Sequence, residues 1–161
     1  MRSLQSDGPS VSWHRIKCGI PAERPVSVRQ FSLFVENKAG RIAQIAGVLA
    51  AKEINIFGFC LADTGDYGIV RLVVNKADEA AEALRAEGFT VKENKVLCVR
   101  LPNEPGALAT LGAVVTGSGS NIDYLYWGAR ESVIFMTDDI EGLERTLTDK
   151  GLPCLADFDI D

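Results

Sequence analysis

The strongest constraint on this chain is that it repeats itself. Shifted by 66 residues, Asn37-Lys38-Ala39-Gly40 falls on Asn103-Glu104-Pro105-Gly106. At the same offset Ile42 meets Leu108, Ala43 meets Ala109, Ile45 meets Leu111, Val48 meets Val114, and Asn55-Ile56 meets Asn121-Ile122. After small deletions the match resumes at an offset of 63, with Leu84 on Leu147 and Gly88 on Gly151. Coincidence would not keep two asparagines, a glycine and the apolar phase of a helix together, so the chain is a duplication. A unit of about 65 residues buries only about 60% of its unfolded surface and is marginal alone. The two copies are therefore expected to pack together, with a homodimer covering the back of the sheet.

The order of elements is the same in both copies. Phe31–Val35 and Val96–Val99 are β-rich and predict first strands. Ile42, Ile45, Ala46 and Leu49 follow at helical spacing, as do Leu108, Leu111, Val114 and Val115. Second strands are expected near Ile54–Leu61 and Asn121–Trp127, and third strands at Tyr67–Val74 and Ser132–Thr137. In the first of these second strands, alternation puts Ile54, Ile56 and Cys60 on one face and Phe57, Phe59 and Leu61 on the other. Ala77–Glu87 and Ile140–Lys150 predict second helices, each ended by a glycine, Gly88 or Gly151. Short fourth strands close each unit near Phe89–Lys92 and Pro153–Phe158. Strand, helix, two strands, helix, strand is the ferredoxin-like pattern, an α+β class in which helices cover one face of an antiparallel sheet. The expected units are residues 29–94 and 95–161. Residues 1–28, rich in Ser, Pro and Gly, read as a disordered tail. A later native start at Val26 or Val28 is a second reading of that segment.

Charge narrows the partners. Residues 1–30 carry a net +3, which leaves −8 on the remainder of a chain whose total is −5. An acidic body repels phosphate backbones, so nucleic acid is not the expected partner. No apolar run approaches the ~18 residues of a membrane span, so no membrane partner is expected either. Cys18, Cys60, Cys98 and Cys154 are widely spaced, without a CxxC pair. They are expected to be reduced structural residues in a cytoplasmic protein, the alternative being a disulfide framework.

The repeated polar feature is Asn-x-x-Gly before the first helix, paired with Asn-Ile at the second strand. A helix starting just after Asn37 or Asn103 offers free N–H groups and a positive dipole end to a carboxylate. Gly40 and Gly106 lack a Cβ and let a ligand approach the backbone. Asn amides both donate and accept, which suits a molecule carrying carboxylate and ammonium together. Taken singly, Asn37 and Asn103 read as helix caps and Asn55 and Asn121 as turn residues. Their recurrence in both copies, 18 positions apart, gives the binding reading equal standing.

The segments Val35-Glu36-Asn37-Lys38-Ala39-Gly40-Arg41-Ile42 and Leu101-Pro102-Asn103-Glu104-Pro105-Gly106-Ala107-Leu108, with the later Asn-Ile, resemble the ACT domain signature over residues 29–160. The resemblance implies a tandem, free-standing regulatory protein that binds an amino acid at the interface between ACT units and signals to a partner enzyme. It carries ligand contact onto Asn37, Lys38, Ala39, Gly40, Arg41 and Ile42, with Asn55 and Ile56 from the second strand. In the second copy it marks Asn103, Glu104, Pro105, Gly106, Ala107 and Leu108, with Asn121 and Ile122. In the serine-binding ACT domains of phosphoglycerate dehydrogenase a histidine two residues before the loop asparagine also touches ligand. Here those positions are Val35 and Leu101, which puts serine specificity in doubt. Lys38-Ala39 replaces the usual Arg-Pro, so the two sites need not be equivalent. Phe57, Phe59, Tyr124, Tyr126 and Trp127 read as sheet and interface packing, with an apolar or aromatic ligand as the alternative.

Other chemistries find little support. Gly117-Ser118-Gly119-Ser120 follows a helix and precedes a strand, the reverse of a phosphate loop. The sole histidine, His14, lies in the tail, which removes His-based triads and the usual zinc sets from the body. Asp138-Asp139 and Asp63/Asp66 read as helix N-terminal charges and turn residues. The expectation is a non-catalytic protein with no cofactor and no metal. Its rivals are a structural adaptor whose asparagines only cap, and a small ferredoxin-like enzyme that depends on Arg41.

Overall fold

A computed structural model describes residues 27–63 and 65–156. Residues 1–26 of the expected tail, with His14 and Cys18, lie outside the described ones, as do the final positions of the strand expected at 153–158. Val28, assigned to that tail, instead opens the first strand and is buried. The described elements are β1 (Val28–Glu36), α1 (Arg41–Ala50), β2 (Ile56–Asp63), β3 (Tyr67–Val74), α2 (Ala77–Ala86) and β4 (Val91–Arg100). They continue with α3 (Ala107–Gly117), β5 (Ile122–Gly128), β6 (Ser132–Thr137), α4 (Ile140–Asp149) and β7 (Cys154–Leu155). Each half thus keeps the expected order of elements. Gly88 and Gly151 take φ of 85° and 77° just past α2 and α4, as a left-handed helix end requires.

The sheets depart from expectation. In place of a separate fourth strand and first strand, β4 is one continuous strand. Its residues Val91–Val96 pair with β1, and Leu97–Arg100 pair with β6. Nothing between Val91 and Arg100 breaks it: there is no Pro or Gly, and Val96–Val99 favour extended backbone. The first half has the order β4-β1-β3-β2 and the second β7-β4-β6-β5, all pairings antiparallel. β2 then meets β5 through Gly58 and Gly128, so six strands close into a ring with β7 beside β4.

Closure produces three cores. Phe31, Leu33 and Val70 pack under α1 and α2 with Ile45, Leu49 and Leu84. Leu97, Val99 and Phe135 pack under α3 and α4 with Leu111, Leu143 and Leu147. The faces turned away from the helices meet each other in a third core, including Val28, Phe57, Val73, Val96, Cys98, Tyr126 and Ile134. The two copies therefore cover each other's backs. The surface that was to be buried in a homodimer is already inside the chain.

The alternation expected in β2 is also broken. A bulge between Ile56 and Gly58 inserts one residue. Ile54 and Ile56 stay with the helix-side core, whereas Phe57 joins Cys60 in the interior. Phe59 and Leu61 are left 39% and 50% exposed. The equivalent bulge lies between Ile122 and Tyr124, so it was duplicated with the rest.

At the seam a Cβ on Gly58 would run into Ile134 Cδ1 and lie 3.2 Å from Tyr126 Cε2. Gly58→Val is therefore expected to cost about 1–3 kcal/mol through overpacking, read as a lower urea midpoint. An unchanged midpoint would show that the seam yields freely.

Candidate functional site

The two Asn-x-x-Gly loops fold alike. Lys38 N–H donates to Glu36 O at 2.8 Å and Glu104 N–H to Pro102 O at 2.9 Å. Gly40 and Gly106 then take φ of 89° and 91° and start helices at Arg41 and Ala107, four residues beyond each asparagine. Neither helix has a side-chain cap. The glycine is set by left-handed backbone, which an L side chain adopts at a cost. It also leaves open space, since an added Cβ would meet nothing within 4 Å at either position.

Asn37 is tied to the β2–β3 turn. Its backbone N–H donates to Asp66 O at 2.9 Å and its Nδ2 to Gly65 O at 3.0 Å. In the second copy Leu101 N–H donates to Glu131 O at 2.7 Å, which anchors that loop to the β5–β6 turn instead. Val35 and Leu101, where a ligand histidine would stand, are 5% and 0% exposed and belong to the cores.

Asn55 and Asn121 lie elsewhere. Each follows its unit's first helix, so α1 separates Asn37 from Asn55 by about 15 Å of helix. Within one copy the loop asparagine and the second-strand asparagine are not brought together. Asn55 N–H donates to Asn75 Oδ1 at 2.8 Å, and Asn121 N–H donates to Asp138 Oδ1 at 3.3 Å. Asn75 and Asp138 are equivalent at the 63-residue offset, a repeated partner that the sequence held but that pattern reading passed over. The Asn121 N–H, first among several backbone donors, holds Asp138 below its ordinary 3.8. Ile56 and Ile122 pack against the helix-side cores. Asp139 caps α4, accepting from Gly142 N–H at 2.9 Å.

The head of α1 differs from the head of α3 in charge. Glu36 Oε2 accepts from Lys38 Nζ at 2.8 Å and from Arg41 Nη2 at 3.3 Å, while Arg41 Nη1 donates to Gln44 Oε1 at 3.0 Å. The matching residues in copy two are Pro102, Glu104 and Ala107. Beside this cluster is a cavity of about 230 Å3, bounded by Val35, Glu36, Lys38, Arg41, Ile42 and Leu61. That is small beside drug-sized pockets and suits a ligand of few atoms. Anion donors from Lys38, Arg41 and the helix head stand next to one carboxylate, so the cavity presents both signs. Asn37 also lines the cavity. Ala39 and Gly40 are exposed, as are Asn103, Glu104, Pro105, Gly106 and Leu108 in copy two, whereas Ala107 is buried.

Glu36 is held below its ordinary 4.5, first by the hydrogen bond and charge of Lys38 and then by Arg41. A carboxylate depressed on folding contributes stability above its unfolded pKa and loses that contribution as pH falls through the folded value. The Glu36 titration, followed by carboxyl NMR, should therefore lie below 4.5 and rise toward it in Lys38→Ala. No movement in the variant would mean that Lys38 does not set the charge of the site.

A family model described as an ACT domain pair matches residues 26–160. No curated protein matches the sequence. A crystal structure of a protein from Bacteroides thetaiotaomicron is 32% identical, with 84% of this chain and 96% of that one covered and a TM-score of 0.78. The regulatory subunit of aspartate kinase from Thermus thermophilus, in ligand-free form, is 22% identical over 77% of this chain and 92% of that one, with a TM-score of 0.59. The corresponding subunit from Thermus flavus is 20% identical over 76% and 92%, with a TM-score of 0.53. The last two share the fold.

Proposed function

The chain belongs to the ACT domain pair family, and from that premise we propose that it is a non-catalytic sensor of an amino acid whose occupancy is read by a partner enzyme. The observation that carries this reading is the two-signed cavity at the head of α1. A zwitterion placed there sets its carboxylate toward Lys38, Arg41 and the unpaired N–H groups of the first turn, and its ammonium toward Glu36. Asn37 contributes by pinning the loop to the β2–β3 turn, with its carbonyl oxygen free to accept. Gly40 keeps the approach open.

The second copy is the weaker site. It keeps Asn103 and Gly106 but has no side-chain cation among Asn103–Leu108, and Glu104 repels a carboxylate. The proposed stoichiometry is one effector per chain, bound where ACT units adjoin. Leu61 stands half-exposed at the cavity mouth, and Phe59, Leu108 and Trp127 are exposed as well. These residues support a homodimer in which a neighbouring unit closes the mouth and brings an Asn55 or Asn121 carboxamide to the ligand. The regulatory mechanism is then linkage, effector and partner enzyme favouring the same arrangement of units. The unbridged cysteines Cys60 and Cys154 support a reducing, cytoplasmic setting.

Thermal-shift screening of the common amino acids tests the reading. A ligand at 100 times its dissociation constant adds about 2.7 kcal/mol, and Arg41→Ala or Lys38→Ala should remove that gain while Asn103→Ala keeps it. If no amino acid stabilises the protein, the adaptor reading replaces this one. Turnover of any substrate that disappears with Arg41→Ala would instead establish an enzyme. Light scattering should give a mass that rises with concentration toward twice the chain mass. A constant monomer removes the neighbouring unit from the site.

A further inference from the structure

A second hollow of about 240 Å3 lies on the other side of the Glu36–Arg41 ion pair from the cavity at the head of α1. Val35, Glu36 and Arg41 line both spaces, so the ion pair is the wall between them. The far side of the second hollow is made by Phe34, Tyr67, Glu87 and Phe89. Phe34 and Tyr67 stack with ring centroids 5.3 Å apart and planes inclined by 22°. They nevertheless remain 57% and 46% exposed. Antiparallel α1 and α2 bring opposite dipole ends to this rim, the positive head of α1 and the negative end of α2 at Glu87.

Glu87 is the residue that helix stability would not select. A carboxylate at a helix C-terminus opposes the dipole, and a cation is favoured there. The duplicate supplies the control. At the equivalent positions copy two carries Arg100 for Phe34, Arg130 for Tyr67 and Lys150 for Glu87. The fold therefore accepts three cations where copy one has two aromatic rings and an acid. That replacement removes three cations from one rim and leaves π faces and a carboxylate, which together attract a cation.

We propose that this hollow is a subsite for a positively charged side chain, so that the effector is an α-amino acid ending in an ammonium or guanidinium group. The inference rests on the amino-acid reading of the adjoining cavity. The α-carboxylate and α-ammonium occupy the Lys38–Arg41–Glu36 end. The side chain passes the ion pair, and its cationic end lies against the Phe34–Tyr67 stack, facing Glu87.

Calorimetric titration of the full chain with L-lysine, L-arginine and L-norleucine tests it. Norleucine has an aliphatic side chain without a terminal charge. Wild type should bind lysine and arginine more tightly than norleucine. Tyr67→Leu and Glu87→Gln alter exposed side chains and should each weaken lysine by about two- to fivefold, leaving norleucine unchanged. Norleucine binding as tightly as lysine in wild type would overturn the subsite while the amino-acid reading stood. Lysine affinity unchanged in both variants would overturn it as well. Absence of binding by any amino acid would remove both the subsite and the function on which it rests.

Discussion

The architecture depends on β4, a single strand that belongs to both halves of the chain. Residues up to Val96 complete the first sheet beside β1, and residues from Leu97 begin the second beside β6. With no linker between them, the two sheets leave β4 in a fixed relation, and their bare faces turn toward each other. The interior is not uniformly apolar. Gln30, 0% exposed, donates to Tyr124 Oη at 2.7 Å and accepts from Tyr126 Oη at 2.8 Å. The Arg71 guanidinium lies over the Tyr124 ring, 4.0 Å from its centroid. Burial pushes the Tyr126 phenol far up from its ordinary 10.0. A buried phenol needs a partner, and Gln30 satisfies two of them across the interface.

That polar network has no counterpart in the repeat. Gln30 corresponds to Val96, Arg71 to Ile134, Tyr124 to Gly58 and Tyr126 to Cys60. The interior thus sets Gln30 and Arg71 of one copy against Tyr124 and Tyr126 of the other, and each of these four has a small or aliphatic residue at its repeat-equivalent position. A face pairing with its own kind would confront tyrosines with tyrosines, or leave Gln30 and Arg71 facing glycine and cysteine. The copies have diverged into complementary halves. The same divergence governs the rims, where Lys38, Arg41 and Glu36 arm the first loop and Pro102, Glu104 and Ala107 leave the second without a cation.

Much of this was legible in the sequence because duplication shows each element twice. Third strands, second helices and the glycines that end them follow from turn chemistry and local periodicity, and both copies agree. The bulge that sends Phe57 inward was not legible, since an inserted residue shifts the phase of a strand without changing its composition. The fusion of two expected strands into β4 was hidden for a similar reason: Glu93, Asn94 and Lys95 look like a connection, and only their pairing with Phe31, Gln30 and Arg29 of β1 holds them extended. At the site, the loop residues were visible as a motif. Phe34 and Tyr67 were not, because their meaning comes from adjacent strands and from exposure. The separation of Asn37 from Asn55 followed from helix length and was open to arithmetic.

Continuity of β4 also limits how such a protein can change over generations. In a chain of beads on a string, additional residues collect between the beads. Here one residue added near Asn94 would reverse the inward and outward sense of every later side chain in the strand. Val96 and Cys98 would exchange places with Leu97 and Val99, emptying two cores at once. Growth is therefore confined to the outer turns, such as the one at Gly65, and the spacing between the two halves is as strictly inherited as their interiors.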